Sequence, residues 1–143
     1  LDVALASKAD GVHLGQEDFP IPLAREWLGP ECIIGGSAAV MEEALKCVEE
    51  GADYVGFGPV YPTTSKHDAG PVSGIALLKK VVETIPVPVI AIGGINPENT
   101  PEVMRAGAHG IAVISAVCCQ ENPQLATEAL SRALRNRHEG NRR

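Results

Sequence analysis

The chain holds 143 residues, 45% of them hydrophobic, which suffices for one core of ordinary size and predicts a single soluble domain over residues 1–143. Its net charge of −6 argues against a general nucleic-acid binder, and no apolar run reaches the roughly 18 residues of a membrane-spanning helix. The charge is uneven: from Ser131 onward five arginines stand against one glutamate, and residues 136–143 read as a disordered basic tail.

In chain order, LDVALASKA has the pattern of the later part of a helix. Short runs rich in Val, Ile and Gly then begin near Gly11, Cys32, Tyr54, Val87 and Gly110, each followed by a helix-compatible stretch. This is the βα rhythm of a parallel sheet. Met41, Ala44, Leu45 and Val48 recur at helical spacing, with Gly51 placed to stop that helix. Ile75, Leu78 and Val82 do the same after Ser73. Pro101 is awkward in a helix starting at Asn96, so a short turn should come first and the regular helix from about Thr100. Asn122-Pro123 reads as an N-cap followed by proline at the first helical position.

The strand starts lie 21, 22, 33 and 23 residues apart. The long interval contains YPTTSKHDAGP, about ten residues of extra loop, and a long βα loop is a functional hint. Here Thr63, Ser65 and Lys66 put two hydroxyls and an ammonium at a strand's end, donors that suit a phosphate oxygen. The other strands end in comparable punctuation: Gln16-Glu17-Asp18, Ser37, Gly93-Gly94 and Ile114-Ser115. In α/β sheets and barrels, the carboxyl ends of the strands form the ligand-binding face.

The four cysteines show no CxxC spacing and pair with no HxxxH, so neither a zinc site nor a disulfide framework is supported, and a reducing cytoplasm is the expected compartment. Each candidate also has a plain reading. Ser37 could cap the following helix, Gly93-Gly94 could be a tight turn, and His13 could be a hydrogen-bonded core residue.

From ALASKADGVHLGQED through GFGPVYPTTSK and IPVPVIAIGGINPEN to GIAVISAV, the ordered set of segments resembles the C-terminal two-thirds of the thiamine-phosphate synthases. The resemblance implies a (β/α)8 TIM-type barrel of which about five βα units, strands four to eight, are present. Because five units cannot close an eight-stranded barrel, it implies that about three units precede Leu1 in an ancestral or parental protein. Five units alone leave two open strand edges, which a second copy of the chain can cover. It further implies a transferase that joins hydroxymethylpyrimidine, delivered as its diphosphate, to the nitrogen of thiazole phosphate, releasing pyrophosphate with Mg²⁺ as cofactor.

On this resemblance Asp18 matches the metal ligand, with Glu17 as the adjacent alternative. Ser37 and Lys66 match the catalytic groups that hold the pyrophosphate, and Thr63, Ser65, Gly94, Ile114 and Ser115 match contacts to the thiazole phosphate. His13 is placed along the pyrimidine pocket. Two departures count against full activity of this chain alone. Ala38-Ala39-Val40 replaces a polar run, and the family's basic residues and Asn-Asp pair would precede Leu1. A non-catalytic thiazole-phosphate-binding barrel remnant is therefore the alternative. A thiazole tautomerase is a weaker one, because Ala39 stands where that family has histidine.

Overall fold

The computed structural model describes residues 1–65 and 70–135. Lys66 and the basic tail expected at residues 136–143 lie outside them. The order of elements is α1 (Asp2–Ser7), β1 (Gly11–Leu14), α2 (Ile21–Leu28), β2 (Ile33–Ala38), α3 (Met41–Glu49), β3 (Tyr54–Phe57), α4 (Gly74–Thr84), β4 (Val89–Ile92), α5 (Thr100–Arg105), β5 (Gly110–Ala112), α6 (Ser115–Cys118) and α7 (Pro123–Arg135). All neighbouring strands pair in parallel, in the sequential order β1-β2-β3-β4-β5. A sheet that advances without reversing differs from the doubly wound fold, whose strand order switches direction midway.

The register explains which side chains go where. Val12 stands level with Ile34; two residues on, Leu14, Gly36, Val55 and Val89 share a level, and Ala38, Phe57 and Ala91 share the next. That face packs on the helices: a side chain at Gly36 would collide with Cys47 of α3 and approach Ile21 of α2. Ile34, Val55, Phe57 and Ala91 are fully buried there, together with Leu78 and Val81 of α4. The other face carries His13, Ile33, Tyr54, Ile90 and Ala112, interleaved with glycines. Among the described residues no helix covers it, and Ile33 is 53% exposed.

Local chemistry accounts for most boundaries. Gly51 has φ +92°, the left-handed conformation that ends the turn after α3. Asn96 accepts the N–H groups of Glu98 and Asn99, and Thr100 donates its hydroxyl to the Asn96 carbonyl at 2.6 Å. The turn thus ends as α5 begins at Thr100. The fourth strand starts at Val89, two residues later than Val87. Pro86 and Pro88 have no N–H for the ladder, although the Pro88 carbonyl still accepts from Val55.

Candidate active site

The loops after all five strands meet around one cavity of about 620 Å³. Its wall includes Asp18 after β1, Ser37 at the end of β2, Thr63 and Ser65 after β3, Gly94 after β4, and Ile114 and Ser115 after β5. Seven of the nine residues singled out from the sequence therefore share one space. Lys66 lies outside the described residues, and His13 stands beneath the wall and reaches the site through Ser37.

Ser37 is held from several sides. It is still part of β2, so it does not cap the next helix. The N-cap of α3 is Val40, and the free amide of Ala39 is taken by the Glu43 carboxylate at 2.7 Å. The Ser37 carbonyl accepts from Gln16 Nε2 at 2.5 Å and from the Cys47 thiol at 3.6 Å. Its Oγ lies 2.8 Å from His13 Nε2, and His13 Nδ1 lies 2.9 Å from the Tyr54 hydroxyl. Partial burial lowers the His13 pKa, against the opposing pull of the Asp18 carboxylate, although the residue as a whole stays exposed.

The other walls are equally well defined. Asp18 closes a tight turn by accepting the Gly15 amide at 2.6 Å through one carboxylate oxygen. The Thr63 hydroxyl accepts the Ser65 amide at 3.2 Å and keeps its own proton to donate. Gly94 has φ +65°, and a side chain there would meet the Pro62 carbonyl at 2.5 Å and Tyr61 Cβ at 2.7 Å. Its identity is thus required by close packing of the β3 loop on the β4 turn. Tyr61 anchors that loop by donating its hydroxyl to Glu102 of α5 at 2.8 Å. Burial first, then that carboxylate, pushes the Tyr61 pKa up to about 12.

The lining contains Glu17, Asp18 and Glu43 and, among the described residues, no Lys or Arg. Such a wall repels an anionic ligand unless a cation accompanies it. Hard carboxylate oxygens fit Mg²⁺, which commonly takes one or two carboxylates and completes its shell with substrate phosphate and water. Asp18 would hold it through the oxygen not engaged by Gly15. Among the described residues no group of three His, Cys, Asp or Glu side chains forms a metal cage, so an ion bound here would depend on substrate oxygens.

Glu43 and Tyr54 are not identified from the sequence, and Gln16 is named there only within the strand end Gln16-Glu17-Asp18, with no role of its own. Gln16 adjoins the Glu17-Asp18 pair and carries at least a positional signal. Tyr54 acts only through cross-strand register, which the linear sequence does not display.

A family model described as thiamine monophosphate synthase matches residues 1–117. The chain belongs to the thiamine monophosphate synthase family. Among curated relatives, the thiamine-phosphate synthase of Methanocella arvoryzae is 57% identical over 130 residues, covering 91% of this chain and 61% of that protein. The thiamine-phosphate synthase of Salinibacter ruber is 54% identical over 134 residues, covering 94% and 59%. A solved thiamine phosphate pyrophosphorylase from Pyrococcus furiosus superposes with a TM-score of 0.88 at 50% identity, covering 96% of this chain and 65% of that one. The chain thus spans about three-fifths of the length of the curated family members it matches. A 3-hexulose-6-phosphate synthase, 21% identical with a TM-score of 0.72, shares the fold alone.

Proposed function

We propose that this chain forms the strand-tip half of a thiamine-phosphate synthase site, within a (β/α)8 barrel in which β1 to β5 are strands four to eight. Family membership supports the reading. The observation that carries it is the meeting of all five strand ends around one cavity that contains Asp18, Ser37, Thr63, Ser65, Gly94 and Ser115.

The reaction joins the pyrimidine methylene to the thiazole nitrogen as pyrophosphate leaves. Departure leaves a cation stabilised by the ring, so the protein's main tasks are to neutralise the leaving oxygens and hold the nitrogen close. Ser37 and Lys66 take the diphosphate, and Thr63, Ser65, Gly94, Ile114 and Ser115 take the thiazole phosphate. Asp18 would hold Mg²⁺, which would bring the positive charge that the described lining lacks. The proposed setting is the cytoplasm, and among the described residues no helix is long and apolar enough to cross a membrane.

A second reading is favoured by Ala38 and Ala39, which line the cavity where the family's polar run would meet the diphosphate: a remnant that binds thiazole phosphate without turnover. Calorimetric titration of the chain with each substrate, with and without Mg²⁺, separates the two. Metal-dependent binding of the pyrimidine diphosphate together with thiazole phosphate supports the synthase. Thiazole phosphate binding alone supports the remnant, and failure to bind either overturns both. Asp18→Asn should raise the Mg²⁺ concentration needed for diphosphate binding by about tenfold, and identical metal titrations of variant and parent would remove Asp18 from the site.

A further inference from the structure

The cavity wall does not explain why two rings lie beneath it. Tyr54 of β3 and His13 of β1 sit on the uncovered sheet face with centroids 5.4 Å apart, and each occupies space that a cross-strand glycine leaves open. A side chain at Gly35 would overlap the Tyr54 ring, and one at Gly56 would stand 2.9 Å from His13 Cε1. The glycines thus admit a hydrogen-bonded line running across three strands, Tyr54 to His13 to Ser37.

We propose that Tyr54 is a positioning residue that fixes His13 as its Nε2–H tautomer, so that Ser37 accepts at Oγ and keeps its own proton for an anionic oxygen in the cavity. The inference rests on the anion-binding reading of that cavity. Its chemistry follows from donor inventories. A neutral imidazole has one donor and one acceptor nitrogen, and the partner of one nitrogen sets the role of the other. Tyr54, the phenol, is the more acidic hydroxyl and the poorer acceptor of the two, so it donates to Nδ1 and leaves Nε2–H to face Ser37. The opposite tautomer would spend the Ser37 proton on the ring and turn oxygen lone pairs toward an incoming phosphate. Because Gln16 and Cys47 hold the Ser37 carbonyl, the backbone cannot swing to compensate.

The lowered pKa keeps the ring neutral at ordinary pH. Of the charged groups near it, Asp18 after β1 is the one that acts on it. The paired segments of β2 and β3 carry no charge, Tyr54 being their titratable group.

Two measurements test this. Nitrogen NMR of the ¹⁵N-imidazole-labelled chain, with the His13 signal assigned by its loss in His13→Gln, should show Nε2 protonated and Nδ1 bare. The reverse assignment overturns the proposal, whatever the cavity binds. Calorimetric titration with inorganic pyrophosphate and Mg²⁺ is then run on the parent, Tyr54→Phe, Ser37→Ala and the double variant. Tyr54→Phe should bind about tenfold more weakly at neutral pH. The ratio to parent should close in acid, where imidazolium donates from both nitrogens and no tautomer needs selecting. A ratio constant with pH, or a Tyr54→Phe defect undiminished in the Ser37→Ala background, marks a merely structural role and overturns the proposal. Weakened binding in Ser37→Ala with unchanged Tyr54→Phe overturns it while sparing the anion-site reading. Unchanged binding in Ser37→Ala, or none in the parent, overturns that reading itself.

Discussion

Arg25 does at the amino ends of the strands what Ser37 does at the carboxyl ends: it gathers several segments on one side chain. From α2 it donates to the carbonyls of Gly51 and Cys32 and pairs with Asp53 at 2.6 Å, while Asp53 also accepts the Ile34 amide at 2.7 Å. Burial alone would raise the Asp53 pKa, but the Ile34 amide and Arg25 outweigh it and bring the pKa below its usual value. A carboxylate with a depressed folded-state pKa contributes stability that is present above its unfolded pKa and lost as pH falls through the folded one. Asp53→Asn should therefore cost roughly 0.5–1 kcal/mol at neutral pH, a discounted figure suited to a solvent-screened pair. Urea unfolding of parent and variant should converge in acid, below about pH 4. A gap unchanged with pH would show that the Asp53 charge contributes nothing.

At the scale of elements, each loop end is tied to its neighbour. Past the end of β3, Val60 donates to Ile92, the last residue of β4, and Tyr61 to Gly93 just beyond it, so the ladder continues into the loops. The Gly94 turn then packs under Tyr61 and Pro62. Gly94→Ala should cost about 1–2 kcal/mol from the left-handed backbone alone, and more from the displaced loop. The expected result is a lower urea midpoint together with weaker thiazole phosphate binding; an unchanged midpoint would mean the two loops are not packed in this way. Much of this level was legible in the sequence, because local chemistry decides it. The Gly51 stop, the start of α5 at Thr100 and the opening of α7 at Pro123 all follow from capping and from φ preferences within a few residues. Ser37 was harder to read, since serine before a helix suggests a cap, and the Glu43 carboxylate took that role instead.

The whole molecule is asymmetric across its sheet, and no window of the sequence displays that. Short parallel strands rich in Val, Ile and Gly read as buried runs on both faces. The register nevertheless assigns Val55 and Phe57 to the helix side, and Ile33, His13 and Tyr54 to the side that no described helix covers. Convergence of the strand tips was legible because sequential βα units place every loop at the same end. The cross-strand line from Tyr54 to Ser37 was not, because it depends on which residues become neighbours once the strands are aligned. The asymmetry predicts unequal costs for the same kind of truncation. Phe57 is fully buried against the helices, so Phe57→Ala should cost about 3–5 kcal/mol in this chain. Ile33→Ala, on a half-open face, should cost about 1 kcal/mol or less, since about half of its surface remains in water. Urea midpoints of the two variants against the parent measure both. Comparable losses would mean that the face bearing Ile33 is covered in solution, by a second copy or by other packing, and protein-concentration dependence of the Ile33→Ala midpoint would identify the second copy.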